Sequence, residues 1–448
     1  MHFEMTIEDI GSKGEGIGKI NDFTVFVEGG LPGDKIEVRI VKVKKTYGYG
    51  KLIRIIEASP MRITPACPHA KRCGGCQIQH FDYQAQLDFK RKKVADNIER
   101  IGKLTGVVVH PTLGMKEPFY YRNKAQFPVK MKDGKVQIGF YAQRSHDIVD
   151  IQKCYIQDPV NDEIIKIVRN YIEKYNVSVY DEERHKGLIR HILTRVGFQT
   201  KEVMVCIIIN GQDIPHKDKL IAELTKIPNI KSIVLNHNTQ KTNVILGDTI
   251  TTLWGQDYIT DYIGDIKFEI SPLSFFQVNP MQTKVLYEKA LEYAKLSGDE
   301  VVWDAYCGIG TISLFLAQKA KKVYGVEIVE AAIEDARRNA KINNIENVEF
   351  FVGKVEEVIP ALYEEKGIKA DVIVVDPPRK GCDEALLETM AKMQPKRIVY
   401  VSCDPGTLAR DLKILSEKGY KVEEAQPVDM FAHSVHVECI AGIRRIDS

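Results

Sequence analysis

Apolar and polar residues alternate with a period of two through the front of the chain, in FTVFVEG, DKIEVRIVKV and YGKLIRII, with glycine turns at Gly29-Gly30 and Pro32-Gly33. This pattern predicts a small five-stranded barrel of the oligonucleotide-binding type over residues 1–58. The period then lengthens. Tyr83, Leu87, Val94, Ile98 and Ile101 define one face of an amphipathic helix over 82–103, and Lys90, Arg91, Lys92 and Lys93 read as its cationic side. Val129 and Met131 lead into Asp133-Gly134 and out through Val136, Ile138 and Phe140, a hairpin signal. VMVCIII (Val203 to Ile209) reads as a buried strand within a mixed α/β region over 59–270. From Glu300 onward apolar strands alternate with helical stretches: VVWDAY, ISLFLAQKA, KKVYGVEI, AAIEDARRNAKINN, DVIVVD, ALLETMAKM, RIVYVSC and LARDLKILSEKG. Residues 271–448 are therefore expected to form a doubly wound parallel α/β sheet, with ligands outside the carboxyl ends of its strands and the helix 82–103 packed against it.

Composition narrows the class. A chain of 448 residues, 44% hydrophobic and 28% charged, has room for two or three cores and is unlike a disordered or fibrous sequence. No run reaches the roughly 18 apolar residues of a membrane helix, and MHFEMTIEDIG has no leader pattern, so a cytoplasmic protein without membrane partners is expected. Net charge is only +2, but residues up to Lys153 carry 26 Lys and Arg against 17 Asp and Glu, leaving the remainder at −7. Lys35 to Arg54 holds seven cations, one acid, Tyr47 and Tyr49, a mixture suited to phosphates and unstacked bases. Arg122, Lys124, Arg144, Arg190 and Arg195 extend this candidate RNA surface, together with Lys90 to Lys93.

Candidate chemistry lies where the strands end. Strand VVWDAY runs into Cys307-Gly308-Ile309-Gly310-Thr311 and a helix, a loop that brings backbone close to an adenosine-type ligand. Glu327, nineteen residues past Gly308, closes the following strand, where a carboxylate can accept from ribose hydroxyls. With Asp304 in the first strand and Ser313 where a dinucleotide site would have glycine, the loop looks like that of S-adenosylmethionine-binding Rossmann folds. Asp376 ends DVIVVD and Cys403 ends RIVYVSC, so both point into one crevice. The helix after Cys403 is expected to lower its thiol pKa and make it a nucleophile. Glu438, flanked by Val437 and Cys439, is a carboxylate at a buried-type position, near His433 and His436. Cys206, Cys307, Cys382 and Cys439 read as structural. An odd count of nine cysteines without a leader argues against a disulfide framework and for thiols used as metal ligands or nucleophiles. Cys67, Cys73 and Cys76 share one Pro- and Gly-rich loop, Cys154 is the best fourth ligand, and spacing leaves zinc and an iron-sulfur cluster equally open.

Taken together, FFQVNP (Phe275 to Pro280), DAYCGIGTISL, DPPRKGC, VYVSCDPGTLARDL and HSVHVEC resemble the RNA uracil-C5 methyltransferases, specifically the 23S rRNA 5-methyluridine branch with an N-terminal TRAM barrel. The resemblance spans essentially the whole chain. It implies S-adenosylmethionine contacts at Gln277, Tyr306, Gly308, Glu327 and Asp376, a Cys403 nucleophile and a Glu438 base. It also implies a [4Fe-4S] cluster on Cys67, Cys73, Cys76 and Cys154, expected to clasp the central domain away from the methyl site. Asp404 departs from the family pattern, which has Asn there. The alternatives are the same chemistry on the T-loop uridine of tRNA, an amino-group methyltransferase, and an RNA-binding assembly factor without catalysis. An aromatic is wanted after Pro377-Pro378 for the amino-group enzyme, and Arg379 stands there.

Overall fold

A computed structural model describes residues 2–446. Strands His2–Ile10, Gly16–Ile20, Phe23–Val27, Lys35–Val43 and Tyr47–Glu57 close into a barrel, with the fifth strand inserted between the third and fourth. The period-two alternation turns Met5, Ile7, Val25, Val27, Ile36 and Val38 inward. Gly50 permits the closure: a Cβ there would lie 2.2 Å from the Val38 side chain. The outer side of the hairpin at Lys35–Val43 and Tyr47–Glu57 presents Lys42, Lys44, Lys45 and Lys51 to solvent. Beside them Phe26, Tyr47 and Tyr49 form an aromatic group with centroids 5.5 to 5.9 Å apart.

The central sheet has seven strands in the spatial order Thr249–Gly255, Ile230–His237, Val203–Ile209, Ile189–Val196, Lys124–Lys132, Lys135–Tyr141 and Ile148–Asp150. Helices Val160–Lys174 and Lys217–Leu224 cover one face through Ile164, Val168, Ile172, Leu220 and Leu224. The Asp133-Gly134 hairpin forms with both central residues at positive φ (50° and 74°), the twist-matched turn for two antiparallel strands. Arg190 and Arg195 do not face a ligand surface. They are buried, Arg190 donating to the carbonyls of Asn238, Gln240 and Thr242 and Arg195 to those of Pro272 and Ser274.

The third layer is an eight-stranded sheet ordered Val348–Val352, Lys322–Glu327, Val301–Ala305, Val372–Val375, Arg397–Ser402, Glu438–Arg445, Tyr420–Val428 and Val108–Val109. Its first five strands are parallel, and strands such as VIVV are buried throughout because helices lie on both faces. Strand order reverses between Val301–Ala305 and Val372–Val375, the switch point where a crevice opens. Two pieces from early in the chain complete this layer. Val108–Val109 pairs with its edge, and helix Tyr83–Arg100 sets Val94 and Ile98 into the core shared with Leu408 and Leu412 of helix Pro405–Glu417. Lys90 is not on a solvent face: it is 0% exposed and its ammonium lies 2.5 Å from Asp429. Three residues after Leu87 and four before Val94, it falls inside the apolar stripe. Lys93 is also turned inward, donating to the carbonyls of Ser12 and Val435. Among the described residues no helix is long and apolar enough to cross a membrane.

Candidate active site and cysteine cavity

The crevice begins at the end of Val301–Ala305, where Tyr306, Gly308 and Gly310 all take positive φ (69°, 54° and 82°) and swing the chain into helix Thr311–Ala317. Gly310 must be small, since a Cβ would come within 3.0 Å of Phe350. Gly308 opens to space, with nothing within 4 Å of where a Cβ would stand, and so leaves room for a ligand. Glu327 ties the loop to the next helix: one oxygen accepts from the Gly308 N–H at 3.2 Å, the other from the Val329 N–H at 3.0 Å. Each oxygen keeps a further lone pair for a ribose hydroxyl. Beside it Ile328 and Val329 are exposed, an apolar lip that periodicity does not reveal because both lie between strand and helix.

Beneath the loop, Asp304 is fully buried. Its Oδ2 accepts from Ser313 Oγ at 2.5 Å, and its Oδ1 has no partner among the described residues. Burial, reinforced by Asp376, pushes its pKa up to about 7 against the pull of the Ser313 bond. Asp376 is pushed up to about 7 by burial alone. Tyr287, whose hydroxyl lies 2.8 Å from Thr311 Oγ1, senses Asp376, Asp304 and Glu438 together and marks the floor of the same space. Gln277 lies in the segment 271–279 just before helix Pro280–Ala294; its carbonyl accepts from Asn123 Nδ2 at 3.0 Å. Phe275, 69% exposed, projects from that segment.

Strand register brings Cys403 and Glu438 together. Arg397–Ser402 and Glu438–Arg445 are antiparallel with Ser402 opposite Cys439, so Cys403 leaves its strand beside the start of the neighbouring one, where Glu438 stands, and Glu438 acts on its thiol. Glu438 is buried, and burial followed by Asp376 raises its carboxyl to about 8 while Arg379 draws it down. The Cys403 thiol is not lowered, as the following helix led us to expect. Burial first, then Glu438 and Asp376, push it up to about 11, with Arg379 opposing. Asp404 caps the helix that follows, accepting from the N–H groups of Gly406 (2.8 Å) and Thr407 (3.0 Å). Arg379, whose charge acts on Cys403, Glu438 and His436, is the member of the site that sequence reasoning missed. Its place straight after Pro377-Pro378 at a strand end was the available signal.

The segment from Asp429 to Val437, leading into Glu438, is a strap held from outside. Lys90 Nζ reaches Asp429 and the Phe431 carbonyl (3.0 Å), and Tyr83 OH donates to Asp429 at 2.7 Å. Tyr121 OH donates to the Ala432 carbonyl at 3.0 Å, and the Ile78 N–H to that of His433 at 3.0 Å. His433 is buried with φ 66°, its ring 4.6 Å from that of Phe119, and burial drives its pKa down to about 4.

Cys67, Cys73, Cys76 and Cys154 line one cavity of about 350 Å³, sharing its wall with Arg122, Lys124, Lys153, Gln157 and Val278. Burial raises the thiols of Cys73, Cys76 and Cys154, the last to about 11, and each is raised further by other cysteines of the set. Among the described residues no three His, Cys, Asp or Glu side chains close on a point as single-ion ligands would. Lys124 faces this cavity and is largely withdrawn from solvent; burial, with Arg195 and Arg122, lowers its pKa to about 7. The cavity is not remote from the crevice. Val278 of its wall follows Gln277, and Cys76 and Cys154 pack around Tyr121, Ile156 and Ala432, the last within the strap. Cys206, Cys307, Cys382 and Cys439 are all buried elsewhere.

The fold and crevice define a Rossmann-type methyltransferase of the S-adenosylmethionine-dependent class, preceded by a small barrel. Comparison with known proteins makes this specific: residues 82–445 match the tRNA (uracil-5-)-methyltransferase family and residues 2–53 match the TRAM domain. The chain belongs to the tRNA (uracil-5-)-methyltransferase family. It is 58% identical to an uncharacterized RNA methyltransferase of Clostridium tetani, over 98% of this chain and 95% of that protein. A Bacillus cereus protein of the same description is 55% identical, over 99% and 96%. Among solved structures, the Pyrococcus abyssi tRNA (uracil-54, C5)-methyltransferase in complex with S-adenosyl-L-homocysteine superposes with TM-score 0.78 and 31% identity, covering 98% of this chain and all of that one.

Proposed function

We propose that this protein transfers a methyl group from S-adenosylmethionine to C5 of a uridine in 23S rRNA, using Cys403 as nucleophile and Glu438 as base. The observation that carries the reading is that Cys403 follows the end of one strand beside the start of its antiparallel neighbour, where Glu438 stands and acts on the thiol. Uracil C5 is a poor nucleophile on its own. Cys403 supplies the missing electron density by adding as thiolate to C6, which makes C5 an enolate carbon. S-adenosylmethionine supplies an electrophilic methyl on a sulfonium, and the C5–methyl bond forms as the methyl–sulfur bond breaks. Glu438 then takes the C5 proton, the C6–sulfur bond breaks, and Cys403 is released as thiolate. Arg379 favours the charged forms of both groups. Gly308 and Glu327 would hold the adenosine part, with Gln277, Tyr306 and Asp376 around the methionine part. The target base must be flipped out to enter.

The cysteine cavity fits a [4Fe-4S] cluster better than zinc. A tetrahedral zinc holds sulfurs at about 2.3 Å and needs almost no free volume, whereas the cavity that these thiols line together with other residues has about 350 Å³. Thiols raised by burial and by one another stay protonated until a cationic centre takes them, and Arg122 and Lys124 on the wall complement the charge that then appears. The barrel would carry RNA through Lys42, Lys44, Lys45 and Lys51, with Tyr47 and Tyr49 as stacking surfaces.

A second reading keeps the chemistry and changes the substrate to tRNA; the Pyrococcus abyssi neighbour, named for position 54 of tRNA, favours it. One experiment decides between them. Unmodified 23S rRNA and tRNA transcripts are incubated with labelled S-adenosylmethionine and anaerobically purified protein, and nucleosides are analysed by mass spectrometry. Labelled 5-methyluridine in 23S rRNA is expected; the same product in tRNA alone overturns the substrate, and none in either overturns the activity. Cys403→Ala is expected to abolish turnover and any covalent complex with RNA carrying 5-fluorouridine. Glu438→Gln is expected to form that complex and to stall on ordinary uridine.

A further inference from the structure

The strap Asp429 to Val437 makes the last turn of the chain before Glu438, the first residue of the strand that follows. Its centre, His433, is a non-glycine residue at φ 66°, a conformation that persists only when neighbours enforce it. Gln86, on helix Tyr83–Arg100 and fully buried, is the neighbour that holds both sides of this residue. Its Oε1 accepts from the His433 N–H at 2.9 Å and its Nε2 lies 3.2 Å from His433 Nδ1. The same Nε2 donates to the Phe81 carbonyl at 2.8 Å, so the amide is locked in one orientation. On the opposite side the Ile78 N–H, two residues beyond Cys76, grips the His433 carbonyl at 3.0 Å. Backbone donor, backbone acceptor and ring nitrogen of His433 are therefore all held by residues 78–86.

We propose that Gln86 is a positioning residue for the proton-removal step: by clamping His433 it sets the line of approach of Glu438 to C5, without touching the substrate. This rests on Glu438 being the base. The clamp acts on the strap and not on the strand that ends at Cys403, so thiol addition and methyl transfer proceed without it. Cys403 follows Arg397–Ser402, which is held by Val372–Val375 on one side and by Glu438–Arg445, downstream of the strap, on the other, and none of its ladder bonds goes to the strap.

The chemistry separates the steps. With 5-fluorouridine there is no C5 proton to remove, so adduct formation reports addition and methyl transfer alone. With ordinary uridine, turnover also needs the base. The test uses whichever transcript, 23S rRNA or tRNA, is methylated by the wild-type protein, in both forms. Gln86→Leu removes both bonds to His433. It is expected to trap 5-fluorouridine RNA at a rate within twofold of wild type, with KM for RNA unchanged, while kcat on uridine falls tenfold or more and a methylated covalent intermediate accumulates. Gln86→Glu keeps an acceptor for the His433 N–H and is expected to recover most of kcat. Trapping amplitude counts competent sites, so rates per site remain readable if the yield of folded variant drops. Parallel loss of trapping and turnover, or normal turnover, overturns the positioning role. Failure of the wild-type protein to trap either RNA overturns the methyl-transfer reading itself, a different result from either.

Discussion

At the scale of single residues, the site is a set of acids kept unusually protonated. Glu438, near 8, and Asp376 and Asp304, near 7, owe this first to burial, and Asp376 raises the other two further. In the proposed mechanism Glu438 must shed its proton to act as a base and Cys403 must shed its own to add. The value of kcat/KM is therefore expected to climb from pH 6 to pH 9, the direction opposite to that of an acid-dependent enzyme. Removing the charge of Glu438 removes one of the groups that raise the thiol. Trapping of 5-fluorouridine RNA by Glu438→Gln at pH 7.5 should accordingly be no slower than in the wild type. Stability follows the same sign. A carboxyl whose folded pKa is raised stabilises least at high pH: the cost grows from its ordinary range near 4.5 up to about 8 and is constant above. Glu438→Gln should thus raise Tm more at pH 9 than at pH 5, which differential scanning fluorimetry reads directly. Cys403 and Glu438 were legible in the sequence because a polar residue at a strand end, or inside an apolar run, is conspicuous. The sign of the thiol shift was not, since it depends on burial and on Glu438 and Asp376, which only the fold brings to Cys403.

At the scale of elements, helix Tyr83–Arg100 shows what a hydrophobic pattern reveals and hides. Its apolar stripe was readable, as was the Asp133-Gly134 hairpin, because both depend on local spacing and turn chemistry. Lys90 was misread because charge was allowed to outweigh position. Its partner, Asp429, is distant in sequence, and no local pattern announces such a pairing. The ion pair is fully buried on both sides. Lys90→Met should destabilise the protein by about 3 to 5 kcal/mol, since it leaves Asp429 buried with only Tyr83 as side-chain partner. Adding Asp429→Asn to that variant is expected to recover a large part of the loss, and denaturant midpoints of the two single variants and the double variant give the coupling. Equal midpoints for Lys90→Met and wild type would mean the pair contributes nothing net.

At the scale of the whole molecule, basic and acidic halves proved to be spatial as well as sequential only in part. The barrel lysines face solvent, whereas Lys90, Arg190 and Arg195 are buried and answer to carbonyls or to Asp429. Counting charge locates a nucleic-acid surface only for cations whose burial is known. Replacing Lys42, Lys44, Lys45 and Lys51 with serine is expected to weaken RNA binding and to make the plot of log affinity against log salt shallower by about 3, at roughly 0.7 to 0.9 per phosphate contact. Filter binding over a KCl series checks it, and an unchanged slope removes the barrel from the RNA path. The parallel sheet itself was legible from the strand-helix rhythm, and its strand order was not. That Val108–Val109 extends this sheet was not, because two residues carry no period.

The union of Lys90 with a residue 339 positions later has a temporal side. At about 5 to 20 residues per second of translation, Asp429 leaves the ribosome roughly 17 to 70 s after the helix that awaits it. Through that interval Val94, Ile98 and an unneutralised ammonium lack the surface that will enclose them. The nascent chain must therefore carry an unfinished helix past the completion of the whole central domain, and chaperone engagement should begin at that helix and end only when the final strands emerge. Crosslinking of arrested chains of graded length would show the release point; release before residue 429 is synthesised would refute it.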